Sequence, residues 1–500
     1  MLDRSDREAG VEGQAVVIRR RGRRVMNDCI EAISTRLTIP TLVRGWRCVP
    51  RKLSIASLAM VAVLLAACDD AIAPEPPLPA AATFDSAVPR DWFALALRLT
   101  RRTAGFSPPV ASRAFAYLGV ALYEALVPGM PGYRSLAGQV NALDPVPAPE
   151  SGAQYHWALV ANSVLAASAR LLYPTASVAD QAVVDSIESA WVSHFRSETT
   201  PEVAARSASR GRAVAYAIFA WSVRDAGHEA FLRNFPPDYV PPAGPGMWVP
   251  TPRLNGMPPL AALQPRWGAC RPFVLPHGNP NRDCAPSAPP AFSTDPASAF
   301  YAEAFEVYDR VNNATAEEQA IALFWADDPG VTATPPGHSI SILTQVLLER
   351  GASLAVAAEA YAKVGMAVAD AFIACWQTKY AYNLLRPVTY IRDHIQADWL
   401  PPLLDTPPFP EYTSGHSVQS AAAARVLTWL FGADYSFTDH THDARGLAPR
   451  SFASFDDAAR EAADSRLYGG IHYRAAIDRG LEQGACIGDR VNALVFRSPS

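Results

Sequence analysis

An all-α fold, helical bundles joined by a long proline-rich irregular segment, is what the sequence predicts, on three observations. Apolar residues recur at three-and-four spacing in stretches on both sides of the chain's middle. Between Trp92 and Phe235 nothing alternates like a strand. Residues 236–290 hold sixteen of the 44 prolines, and no helix accommodates them. With 500 residues, 49% of them hydrophobic, a sizeable core is available.

Residues 1–67 stand apart from that core as a targeting segment. They carry twelve Lys or Arg against six Asp or Glu and end in a fifteen-residue uncharged run, Leu53 to Ala67. The run is short for a membrane-spanning helix and closes on Leu65-Ala-Ala-Cys68, which is similar to the lipobox of bacterial lipoprotein signal peptides. Cys68 is then the lipidated first residue, and the body is exported, lipid-anchored at the bacterial cell envelope and periplasm-facing. Subtracting the segment's net +6 from the chain's −4 leaves −10 for the rest, which argues against a nucleic-acid partner. Residues 68–87, with four prolines among small residues, read as a flexible tether.

Within 88–235 the spacing predicts helices over Ala114–Leu126, Tyr155–Leu172, Val178–Phe195 and Glu202–Ala226. His156, His194 and His228 lack partners at ligand spacing and receive no role. Residues 236–292 form the irregular segment, which carries Cys270 and Cys284; two cysteines in one irregular loop of an exported protein predict a disulfide between them. Cys375 and Cys486 sit in apolar helical surroundings and read as buried free thiols. Helices resume in 293–495, over Ser298–Val311, Ala316–Trp325, Ser339–Ala362 and Met366 to about Leu385. His338, in Pro335-Pro-Gly-His-Ser, either lines a pocket or caps a helix. Residues 435–454, with His440 and His442, read as a surface loop whose paired histidines lack a third ligand for a metal.

The chemistry concentrates in three boxes. Pro410-Glu-Tyr-Thr-Ser-Gly-His-Ser417 precedes the apolar stretch Val418–Leu430, so the amides of Ser414 and Gly415 lie near a helix N-terminus, where unpaired N–H groups attract negative charge. Upstream, Lys379 and Arg386 are seven residues apart, on one face of a helix. Downstream, in Ser465-Arg466-Leu-Tyr-Gly-Gly-Ile-His472, paired glycines break the helix so that Arg466 and His472 turn toward one point. Three cations, two histidines and a set of amides suit an enclosed oxyanion.

At these residues the chain resembles the vanadium-dependent haloperoxidase and type 2 phosphatidic acid phosphatase (PAP2) superfamily, whose pattern is K-x6-RP, PSGH and SR-x5-H. The likeness is closest to the bacterial haloperoxidase-like branch, through Pro108-Pro-Val-Ala-Ser-Arg-Ala, Trp267-Gly, Trp325-Ala-Asp-Asp-Pro-Gly and Phe409-Pro-Glu-Tyr. Thr413 stands where the pattern has proline, and Ala476 where an aspartate is common, leaving Asp478 and Glu482 as substitutes to orient His472. The resemblance implies a vanadate cofactor held by Lys379, Arg386, Ser414, Gly415 and Arg466, with His472 as the vanadium ligand. It also implies His416 as proton carrier, Lys379 polarising peroxide, and hydrogen peroxide and halide as substrates. Its other branch implies a phosphatase without cofactor, acting on a phosphate ester through a phosphohistidine at His472. A lipoprotein that has lost catalysis is the third reading.

Overall fold

A 29-residue helix, Leu354–Tyr382, is buried along almost its whole length; it carries Lys379 and packs against the helix that opens on the Ser-Gly-His box. The computed structural model describes residues 80–254 and 256–498; Cys68 and the apolar run before it lie outside them. Thirteen α-helices occur among the described residues. The first five are α1 (Ala87–Arg102), α2 (Pro108–Leu126), α3 (Trp157–Leu172), α4 (Val178–His194) and α5 (Pro201–Ser222). After the irregular segment come α6 (Ala299–Asn312), α7 (Ala316–Phe324), α8 (Thr334–Glu349), α9 (Leu354–Tyr382) and α10 (Pro387–His394). The last three are α11 (Gly415–Phe431), α12 (Phe455–Tyr468) and α13 (Arg474–Asn492).

Local chemistry sets the ends of these helices. Ser177, Thr200, Ser298, Ser353, Ser414 and Ser454 each cap a helix by accepting a first-turn amide, and Thr315 forms a reciprocal capping box with Glu318. Glycine then sets how closely helices approach. A Cβ at Gly119 of α2 would overlap the Tyr361 carbonyl of α9, and one at Gly365 of α9 would lie 2.9 Å from Ala116 Cα of α2. On α13, Gly480, Gly484 and Gly488 form a stripe against α11: a Cβ at Gly480 would meet Ser417 Cβ at 2.7 Å, and one at Gly488 the Ala422 carbonyl at 2.9 Å. That stripe seats the start of α11, where the Ser-Gly-His box sits, directly on α13.

The segment 236–290 is irregular, apart from a short 3-10 turn at Trp267–Ala269, and is draped along α9. The buried Asp370 carboxylate accepts the amides of Phe273 (2.6 Å), Val274 (2.8 Å) and Leu275 (3.1 Å), and Asn281 donates to the Ala374 carbonyl (3.0 Å) and the Thr378 hydroxyl (2.9 Å). The Asp370 side chain thereby satisfies loop backbone that has no ladder of its own, and a loop side chain in turn binds the helix.

Four expectations are corrected. The predicted break between 362 and 366 is absent; the chain turns instead around Gly351, at φ +56°, so α8 and α9 replace helices over 339–362 and 366–385. Lys379 and Arg386 do not share a helix. Asn383 closes α9 in the left-handed region (φ 46°), and Arg386 is the N-cap of α10. Residues 435–454 are no surface loop: strands β1 (Phe437–Asp439) and β2 (Arg450–Phe452) pair antiparallel, and His442 is buried.

The fourth is the disulfide. Cys284 pairs with Cys486 of α13, with Cα atoms 5.7 Å apart, and Cys270 is a free, buried thiol whose pKa burial raises to about 12. Because the segment lies on the helices instead of closing on itself, Cys270 turns into the core after the 267–269 turn, while Cys284 meets the neighbouring helix. Cys375 is free and buried as expected. Peptide mapping without reduction is expected to recover Cys284 joined to Cys486, with Cys270 and Cys375 alkylated only after unfolding. Since the bridge spans 202 residues, Cys486→Ser should lower stability by about 2–5 kcal/mol in denaturant titration under oxidising conditions.

Candidate active site

Two hydrophobic clusters make up the body. One is the main core around α2, α3 and α9; the other is built from Phe300, Val307, Tyr390, Tyr412, Leu467 and Tyr473. A cavity of about 820 Å³ opens on the side of the main core; its lining includes Gly415, His416, Arg466 and His472, and its walls carry Phe106, Leu263, Phe372, Trp376, Leu404 and Phe409.

The 410–417 stretch is held from behind. The fully buried Lys379 spends its three ammonium protons on backbone carbonyls of Pro410 (3.0 Å), Glu411 (2.9 Å) and Thr413 (2.5 Å). The Ser414 amide, expected to face the ligand, donates to the Ala476 carbonyl (3.0 Å), and its hydroxyl oxygen accepts from Ser417 N–H (3.3 Å). The first-turn amides of α11, beginning with Gly415, have no acceptor within the helix.

His472 follows the break at Gly469 and Gly470, the latter at φ +73°. Its Nδ1–H donates to Glu411 Oε1 (2.8 Å), which also accepts Tyr473 N–H (2.9 Å). Neither Asp478 nor Glu482 orients it; Glu482 pairs with Arg479 at the surface. Glu411 was legible in the Phe409-Pro-Glu-Tyr box as its lone carboxylate, but only the return of the chain after α12 brings it to His472. With Nδ1 so engaged, His472 Nε2 carries the lone pair, and Arg386 Nη1 donates to it at 3.1 Å. Arg386 also donates to the carbonyls of Phe409 (2.9 Å) and Ile471 (2.8 Å), which leaves its buried Nη2 without a partner. Arg466 donates through Nε to Ser465 Oγ (2.9 Å) and through Nη2 to the Ala322 carbonyl (3.1 Å). His416 donates Nε2–H to the Trp325 carbonyl (2.9 Å).

Electrostatics follow from this enclosure. Burial pushes Lys379 down to about 7 and Arg386 and Arg466 each to about 10. It also holds both histidines well below their ordinary range, reinforced at His472 by Arg386 and at His416 by Arg466. Burial drives Glu411 up to about 8 against the pull of Arg386 and Lys379. Lys379 and Arg386 beside Glu411, Arg466 beside Asp327 and Asp328, an unused guanidinium N–H group and an imidazole lone pair met only by Arg386 form a donor set that fits a tetrahedral oxyanion whose central atom accepts nitrogen.

Known proteins share this architecture. The sequence family described as the VCPO second helical-bundle domain matches residues 359–498. A solved structure described as the first bacterial vanadium-dependent iodoperoxidase superposes at TM-score 0.74 with 39% identity, covering 85% of this chain and 99% of its own. A holo-type bacterial vanadium-dependent chloroperoxidase superposes at TM-score 0.59 with 17% identity over 78% of this chain and 92% of its own, a likeness of fold. No curated protein matches by sequence. With that identity sustained over nearly the whole body, the chain belongs to the vanadium-dependent haloperoxidase family of the PAP2-like superfamily and is an enzyme of haloperoxidase type.

Proposed function

We propose that the protein is a vanadate-dependent haloperoxidase that uses hydrogen peroxide to oxidise a halide, with iodide the halide to which its likeness to the iodoperoxidase points. The observation that carries the reading is His472: Glu411 fixes its tautomer so that Nε2 keeps a lone pair beside Arg386, on a cavity that Arg466 also lines. That nitrogen would ligate vanadium, Arg386 through Nη2 and Arg466 would neutralise the oxygens, and the first-turn amides at Gly415 would bind another. When bound, vanadate would supply a Lewis-acidic centre that activates peroxide without changing oxidation state. Lys379 acts in this arrangement as charge and as scaffold, holding the 410–413 carbonyls while its positive field reaches the site. His416, with Nε2–H on the Trp325 carbonyl, keeps Nδ1 as its basic nitrogen and would move protons to and from the reacting oxygen. The aromatic walls exclude water from the cations and sharpen their hold on an anion.

The body lacking residues 1–68, assayed with and without added vanadate for peroxide-dependent iodide and bromide oxidation beside phosphate-ester hydrolysis, is expected to oxidise halide only when loaded. Hydrolysis without vanadate would favour the phosphatase reading, and inactivity in every assay the scaffold reading. Within the loaded enzyme, His472→Ala should lose tight vanadate binding together with activity. His416→Ala should still bind vanadate but lose about 10²- to 10⁴-fold in turnover.

Lys379 sets a pH limit. A lysine whose pKa burial lowers to about 7 is charged below that pH and neutral above it, so its contribution to anion binding is present at acid pH and fades as pH rises through 7. Vanadate affinity, by isothermal titration from pH 6 to 9, should therefore fall more steeply in the natural protein than in Lys379→Met, a comparison that cancels vanadate's own ionisation. Equal slopes would remove Lys379 from the binding energetics. Glu411→Gln, which leaves His472 oriented by a weaker acceptor, should cost about 10- to 100-fold in vanadate affinity.

A further inference from the structure

Behind His416 lies a second buried cluster that the proposed chemistry does not use. His338, the fifth residue of α8, lies between two carboxylates: Nδ1 is 2.7 Å from Asp327 Oδ2 and Nε2 is 2.6 Å from Asp439 Oδ2 on β1. Carboxylates only accept, so both ring nitrogens carry protons and the ring is an imidazolium. All three side chains are almost wholly inaccessible. Burial alone would lower this histidine's pKa, but Asp327 and Asp439 raise it to about 10. Asp439 is anchored in turn by Thr441, which donates both N–H (2.9 Å) and Oγ–H (2.6 Å). His442 stands edge-on to His338, ring centroids 4.9 Å apart, with Nε2 3.4 Å from Asp327 Oδ1.

The cluster reaches the active site through a strained turn. Asp327, a non-glycine residue, sits at φ +50°, a conformation that costs of order 1 kcal/mol or more and persists only where surrounding contacts impose it. Two residues earlier, Trp325 stacks on the His338 ring (centroids 4.4 Å apart, planes 19° apart), donates its indole N–H to Glu461 (3.0 Å) and offers its carbonyl to His416. The groups that act electrostatically on His416 are Arg466, Asp327 and His338.

We propose that His338 is a positioning residue. Clamped by Asp327 and Asp439, it holds the 325–327 turn so that the Trp325 carbonyl keeps His416 in the Nε2–H tautomer, with Nδ1 as the nitrogen that exchanges protons. The inference deepens the assignment of His416 as proton carrier and rests on it for its catalytic consequence, but the tautomer itself can be read without cofactor.

Nitrogen-15 NMR of histidine-labelled, vanadate-free protein should show His416 as a single Nε2–H tautomer in the natural protein and a mixture in His338→Gln. In loaded enzyme, His338→Gln should lower kcat about 10- to 100-fold while vanadate affinity and halide KM stay within about twofold, and the double variant with His416→Ala should be no slower than His416→Ala alone. Should His338→Gln fail to fold, Asp439→Asn, which keeps a hydrogen-bond acceptor on the ring, should give the same tautomer mixing with a kcat loss of about threefold or more. A single Nε2–H tautomer in the folded variant, or a loss that multiplies with that of His416→Ala, would overturn the proposal. If His416→Ala itself left turnover intact, the proton-carrier reading would fall, and the NMR spectra would still decide whether His338 sets the tautomer.

Discussion

Three buried cations of like charge are the constraint on which the rest of the structure depends. Lys379, Arg386 and Arg466 are almost wholly removed from water, and each would leave its site or lose its proton unless the protein met its donors. The fold meets them largely with backbone carbonyls, at Pro410, Glu411 and Thr413 for the lysine, Phe409 and Ile471 for Arg386, and Ala322 for Arg466. Carbonyl dipoles offset desolvation without cancelling charge, so the site keeps a positive excess that a wall of carboxylates would have erased. Irregular backbone at 407–414 and 469–473, and the open last turn of α7 at Ala322, are what make those carbonyls available, since a helix interior would have spent them internally.

The same logic explains why long helices surround a site made mostly of their ends. Lys379 sits one turn from the end of α9, Arg386 caps α10, Gly415 and His416 open α11, Arg466 closes α12 and His472 just precedes α13. Helix ends supply unpaired amides and a chain direction that can turn inward, while the close contacts at Gly119, Gly365 and the α13 glycine stripe hold those ends in register.

Much of this was legible in the sequence because it is local. Four of the five helices of the N-terminal half fell within about six residues of their predicted bounds, while Ala87–Arg102 was given no bounds, and the three boxes kept their spacing because cap chemistry and glycine breaks act over a handful of residues. What the sequence concealed was set by packing between distant segments. Cys284 meets Cys486 and not Cys270; Glu411, not Asp478 or Glu482, orients His472; and the Ser414 amide is taken by Ala476, sixty-two positions along the chain. His338 stayed undecided between pocket and cap, and His442 looked incidental, because Asp327 and Asp439, which give them meaning, lie 11 and 101 residues from His338.

The bridge between Cys284 and Cys486 encloses every residue of the anion cage, from Lys379 to His472. Topologically the catalytic half is a ring, closed by sulfur at one point and by peptide bonds everywhere else. A single backbone cut in an exposed stretch of that ring, such as 444–449, would open it to a linear chain without releasing any part of the cage. Proteolysis would have to cut twice, or be joined by a reductant, before the two sides of the site could drift apart.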